Sequence, residues 1–197
     1  MTGAALNLHP DERVIVFIDG ANLHAATRAL GFTIDYKKLL GLLQSDGHLV
    51  RALFYTTVFD DDEFSAVRPL TDWLEYNGFT IDTKTLKSYV DAEGRRKSKG
   101  NMAVELTVDA MQMSDRADHV VLFTGDAAYC ALVAALKLRG KRVSVVSTLV
   151  SNPPMIADDM RRLADHFVEL GTLEPSIGRA SLPTRPPRST VAVDQAD

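Results

Sequence analysis

Apolar residues along this chain gather in short continuous runs that are separated by longer amphipathic stretches, and the two kinds alternate. "RVIVFIDG" (13–20) is almost wholly apolar until Asp-Gly ends it, which predicts a strand buried on both faces. "ANLHAATRAL" (21–30) and "YKKLLGLLQS" (36–45) predict helices, and "HLVRALFYTTVF" (48–59), rich in aromatic and β-branched residues, predicts a second strand. Residues 60–78 open with acids suited to a helix N-terminus, carry Leu70, Trp73 and Leu74 on one stripe and end in Asn-Gly. The run Asp60–Asp62 is therefore read as a helix start rather than a metal site.

The alternation continues with a strand at 79–86, a polar turn at 91–101 and a helix at 101–114. "DHVVLFTGD" (118–126) repeats the first strand's pattern, an apolar run closing on Gly-Asp. A helix over 127–139 stops at Gly140, "KRVSVVST" (141–148) is a further strand, 153–167 is an amphipathic helix, and "FVEL" a last short strand. Residues 1–12 form a polar lead and 13–173 the domain. Four of the eight prolines fall between 175 and 187 among Ser, Thr and Arg, so 174–197 is expected to be a disordered tail. Regular strand–helix alternation predicts a three-layer, Rossmann-like α/β domain with a mostly parallel central sheet and right-handed crossovers.

Composition narrows the function classes. With 197 residues and 46% hydrophobic content, the chain can bury one full core. The 22 basic and 26 acidic residues give a net charge of −4, so a nucleic-acid partner has to be held by a local basic patch. A single cysteine, Cys130, excludes an internal disulfide and a thiolate zinc cluster and fits a reducing compartment. No apolar run approaches the roughly 18–20 residues that span a bilayer, and "MTGAALNLHPDER" lacks the basic-then-apolar order of a signal peptide. A cytoplasmic protein without a membrane partner is expected.

Candidate chemistry sits where parallel sheets bind ligands, at the carboxyl ends of strands near a switch in strand order. Asp19 and Asp126 both fall there, each directly after an apolar strand and beside a glycine. Two carboxylates brought together repel unless a cation lies between them, and a hard divalent ion, Mg²⁺ or Mn²⁺, suits oxygen ligands. The competing expectation is that each aspartate only caps the helix that follows it. Asn22, one turn beyond Asp19, either orients a ligand or water or satisfies helix-start backbone groups. Arg95, Arg96, Lys97 and Lys99 precede a helix N-terminus and form a local basic run suited to a phosphodiester backbone; a solvated turn is the alternative.

Other phosphate chemistries are excluded by missing residues. The chain has no G-x-x-x-x-G-K-[ST], and no G-x-G-x-x-G follows the first strand. A haloacid-dehalogenase-like phosphatase needs a second aspartate where Ala21 stands and an acid at the position of Cys130.

Four separated segments, "VFIDGANL", "RRKSKGNM-VELTVDAM", "VLFTGD--Y" and "KRVSVVST", resemble the NYN domain family, the PIN-like nucleases that include the bacterial LabA-type proteins. The resemblance runs in order from about residue 13 to 170 and implies a PIN-like fold and metal-dependent hydrolysis of RNA, with Mg²⁺ or Mn²⁺ as cofactor. It places Asp19, Asn22 and Asp126 in the catalytic and metal-binding set; on the ribonuclease reading that follows, the basic run Arg95, Arg96, Lys97 and Lys99 is expected on RNA and Thr124 to donate a hydrogen bond to a phosphate. Two acids of the family pattern are missing, replaced by Ala103 and Ala128. Near 100° per residue, Glu105 points about 200° away from position 103 and Asp109 lies on the Met102–Leu106 stripe. Neither replaces the lost acid in this register; Glu105 is expected to be solvated and Asp109 to make a structural hydrogen bond. The resemblance thus implies a ribonuclease attenuated or inactivated by two alanines, with a catalytically degenerate RNA-binding or regulatory module as the alternative. Association with further copies of the chain is left open.

Overall fold

A computed structural model describes residues 6–45, 47–59, 67–86, 88–90, 96–98 and 100–179. Its central sheet has six parallel strands: β1 (Arg13–Asp19), β2 (His48–Phe59), β3 (Thr80–Leu86), β6 (His119–Phe123), β7 (Arg142–Ser147) and β8 (His166–Glu169). A separate antiparallel pair, β4 (Ser88–Val90) and β5 (Arg96–Ser98), stands apart from it. The helices are α1 (Gly20–Leu30), α2 (Tyr36–Ser45), α3 (Arg68–Tyr76), α4 (Ala103–Met113), α5 (Cys130–Leu138), α6 (Asp158–Leu163) and α7 (Glu174–Ile177).

Why β1 is apolar at consecutive positions follows from the layers. Val14, Val16 and Ile18 face one core with Leu23 of α1, Leu39 and Leu43 of α2 and Leu74 of α3. Ile15 and Phe17 face the other, with Leu106 of α4, Leu132, Val133 and Leu136 of α5 and Met160 of α6. All five strand residues are fully buried, as a strand covered on both faces requires. The expected three-layer α/β architecture is therefore what the chain forms.

Strand order is β3-β2-β1-β6-β7-β8. From β1 the chain moves outward through β2 and β3, then returns past α4 to place β6 on β1's other side. The order reverses between β1 and β6, and in parallel sheets ligands bind at the carboxyl ends of strands beside such a reversal. Asp19 and the 124–126 loop stand at those two strand ends.

Several expected boundaries move. The predicted polar turn at 91–101 contains β5, paired with β4. Of the predicted helix 60–78, the structure shows Arg68–Tyr76, and the run Asp60–Asp62 lies outside the described residues. The predicted helix 153–167 shortens to Asp158–Leu163. Its lost first turn is held instead by the strand ends: the Met155 and Ile156 N–H groups donate to the Thr148 carbonyl, and Ala157 N–H to that of Gly125. The expected disordered tail is corrected at its start. Residues 174–177 are helical, Ile177 is fully buried against the α2 layer, and Arg179 N–H donates to the Thr33 carbonyl. One apolar side chain among prolines was enough to anchor that turn; residues 180–197 lie outside the described residues.

Candidate metal centre

Asp19 ends β1 and caps α1: its Oδ1 accepts from the Asn22 N–H at 3.1 Å, and its Oδ2 accepts from the Tyr129 hydroxyl at 3.2 Å. Desolvation is the main influence on its carboxyl and raises the pKa, with the negative charge of Asp126 adding to the rise. Asp126 caps the single turn 127–129, its Oδ1 accepting from the Ala128 N–H at 2.9 Å. The capping expectation is what the structure shows for both aspartates, and the charge of Asp126 is also felt at Asp19.

Asn22 links the two segments that carry them. Its side-chain oxygen accepts from the Gly125 N–H at 3.1 Å, tying the first turn of α1 to the loop that carries Asp126. Backbone satisfaction, the alternative expectation for Asn22, is what this bond supplies, although to the facing loop and not to its own helix start. Thr124 departs from its expected role. It is fully buried, and its hydroxyl oxygen accepts from the Asp126 N–H at 3.3 Å, so it shapes the loop instead of meeting a phosphate.

In-register neighbours on parallel strands point to one face, and Asp19 pairs with Tyr55, which pairs with Asp82. This row brings in residues the sequence reading passed over. The Tyr55 hydroxyl donates to Asp109 Oδ2 at 2.8 Å, the structural hydrogen bond expected of Asp109. Burial, then the adjacent carboxylates, pushes the phenols of Tyr55 and Tyr129 far above their ordinary value, so both stay protonated as donors. Asp82 is raised by desolvation and by Asp109 and Glu105.

Glu105 was expected to be solvated. Instead Lys84 donates to its Oε1 at 2.7 Å, lowering its pKa, while Oε2 is buried without a hydrogen-bond partner among the described residues. The available signal was period-two alternation in "TIDTKTL", which sets Asp82 and Lys84 on one face beneath α4.

Acids thus follow the row from Asp82 on β3, past Tyr55 on β2 with Asp109 and Glu105 of α4, to Asp19 at the end of β1 and Asp126 in the 124–126 loop, but no three of them approach closely enough to hold one ion among the described residues. Ala103 lies half-buried in the first turn of α4, its N–H donating to Asn101 Oδ1 at 3.2 Å, and Ala128 is exposed. Neither has an oxygen to offer. Of the basic run, Arg96 and Lys97 fall on β5, while Arg95 and Lys99 lie outside the described residues.

The NYN domain model matches residues 13–173, from the first residue of β1 to the turn after β8. The chain belongs to the NYN domain family. Its similarity to the low amplitude and bright protein LabA of Synechococcus elongatus is 29% identity over 175 residues, covering 87% of this chain and 90% of that one. A solved structure of a protein of unknown function from Vibrio parahaemolyticus superposes with a TM-score of 0.65 at 23% identity, covering 86% of this chain and 96% of that one. That likeness shows the shared fold. Within the NYN frame, the β1–β6 switch point carries the segments "VFIDGANL" and "VLFTGD", and α7 packs on from beyond the matched span. Among the described residues no helix is long and apolar enough to cross a membrane.

Proposed function

We propose that this NYN domain is a scaffold for metal-dependent hydrolysis of RNA, with Asp19 and Asp126 holding one Mg²⁺ or Mn²⁺ and with turnover slowed by Ala103 and Ala128. The observation that carries it is the desolvated Asp19 carboxylate, further destabilised by Asp126 across the β1–β6 switch point. Two carboxylates at neighbouring strand ends, one of them desolvated, are an arrangement that a divalent cation relieves.

The donor set fits one hard ion and not two. Mg²⁺ keeps several waters and takes one or two carboxylates, which this pair supplies, whereas a two-ion clamp needs the acids absent at 103 and 128. A bound ion supplies positive charge that neutralises the phosphodiester and favours attack by water. The chain's own residues do the rest. Tyr129 holds Asp19 by its hydroxyl, Asn22 and Thr124 fix the Gly125–Asp126 loop, and Arg95, Arg96, Lys97 and Lys99 grip the strand's phosphates through counterion release.

Cleavage of labelled RNA with Mn²⁺ tests the proposal. Slow cleavage by the chain as it stands, its loss in Asp19→Asn, and a gain of tenfold or more in Ala103→Asp with Ala128→Asp are expected. No cleavage by that double variant, once it is shown to fold, refutes it. The second reading, an RNA-binding module without catalysis, is favoured by the capping bonds, which give both aspartates a folding role without metal. It predicts RNA binding indifferent to chelator.

A further inference from the structure

On the other face of the sheet, α1, the 33–36 segment and α3 enclose an open cleft of about 510 Å³, within the range of small-molecule sites. The cleft is continuous with a smaller recess of about 300 Å³ further along α1, the two sharing His24, Thr27 and Thr33. Two guanidinium groups border this groove, Arg28 on α1 and Arg179 after α7, with the His24 imidazole beside them; all three are exposed and none has an acidic partner among the described residues. Asp35 is the single acid among the lining residues. Its Oδ1 is taken by the Lys37 and Lys38 N–H groups at 3.1 and 3.2 Å, so it caps α2. Trp73 of α3 stands at the wall with 38% of its surface exposed.

An exposed indole face beside unpaired guanidinium groups is the combination that holds single-stranded nucleic acid, the ring stacking on a base and the cations meeting phosphates. His24 lies five residues beyond Asp19 on α1, about 7.5 Å along the axis at 1.5 Å per residue. The groove therefore begins one and a half turns from the candidate metal centre and leads away from it.

We propose that this α1–α3 cleft is a nucleotide subsite of the RNA strand, with Trp73 stacking on a base and Arg28 and Arg179 on its phosphates. The placement rests on the RNA reading above. It needs no metal, and that separates the two tests.

Trp73 is the chain's one tryptophan, so its fluorescence reports the cleft directly. The experiment titrates a short oligoadenylate into the protein in EDTA at low salt, following Trp fluorescence and, in parallel, anisotropy of labelled RNA. Saturable quenching that tracks the anisotropy is expected. Trp73→Ala should weaken binding about tenfold by anisotropy, with Trp73→Phe recovering most of it. Arg28→Gln with Arg179→Gln should flatten the slope of log K against log salt by about 1.4, two single-strand phosphate contacts. These side chains are exposed, and circular dichroism checks each fold. Anisotropy showing binding with no quenching, or variants that bind as the parent does, overturns the subsite while leaving Mn²⁺-dependent cleavage untouched. Quenching by AMP at the same affinity as the oligonucleotide overturns the strand placement. Quenching without Mn²⁺-dependent cleavage leaves the subsite and refutes the nuclease.

Discussion

Gly125 is the position where the fold and the candidate site are most tightly joined, so Gly125→Ala is the most informative single methyl group. A Cβ built there meets the Met155 carbonyl oxygen first, then Ser147 Oγ at 2.5 Å and Ile156 Cα at 2.8 Å. Two of these three are backbone atoms that cannot swing aside. Gly125 is also pinned on both sides, donating its N–H to Asn22 and accepting from the Ala157 N–H at 2.9 Å. Relief of the clash has to push the 124–126 loop away from the 155–157 segment. Overpacking of this kind costs about 1–3 kcal/mol and a stretched hydrogen bond about 1 more, giving a loss of roughly 3 kcal/mol. At a urea m-value of about 2–3 kcal/mol/M, the unfolding midpoint should fall by about 1 M. Gly41→Ala is the control. That glycine lies inside α2 with no atom within 4 Å of an added Cβ, and the same methyl should stabilise by about 0.5–1 kcal/mol. Urea denaturation followed by circular dichroism measures both. Equal midpoints for Gly125→Ala and the parent would refute the claim that this close approach sets the loop carrying Asp126.

Three further outcomes follow from the site and its surroundings. Asp19 has a raised pKa in the folded chain, so its contribution to stability is present below the unfolded carboxyl value and lost as pH rises through the folded one. At neutral pH Asp19→Asn, still a competent cap, should raise the metal-free melting temperature and abolish any rise caused by Mn²⁺, both read by calorimetry. Tyr55→Phe leaves the Asp109 carboxylate without its phenol donor and should cost about 1–3 kcal/mol in denaturant unfolding, much less when combined with Asp109→Leu. His119 is fully buried against Ser144 and Arg142, with its pKa lowered to about 3 by burial and by the Arg142 charge. The unfolded chain takes up that proton first, so stability should fall by roughly 1.4 kcal/mol per unit as pH drops below about 6.5, and His119→Gln should flatten this slope.

How much of this was legible in the sequence depends on whether the signal is local. β1 and β6 announce themselves because burial on both faces leaves no room for polar positions, and Asp19 and Asp126 stand out as the first charges after them. The frame of α4 was equally plain. The pairing of Tyr55 with Asp109 joins residues 54 positions apart, and the Lys84–Glu105 contact depends on how α4 lies over β3; no spacing rule encodes either. The Asn22–Gly125 bond spans 103 positions, so Asn22 could be flagged but its partner could not. α7 was missed because composition outweighed one buried isoleucine, Ile177, whose partners in α2 lie far back along the chain. The cleft at Trp73 escaped notice because its walls come from both ends of the chain.

Binding of Mn²⁺ to the unmodified chain, followed by electron paramagnetic resonance, bears most directly on the carboxylate notch at the β1–β6 switch. The account predicts one ion per chain, with affinity falling tenfold or more in both Asp19→Asn and Asp126→Asn while the fold is kept. Binding that survives both substitutions, or no binding at millimolar Mn²⁺, would contradict it.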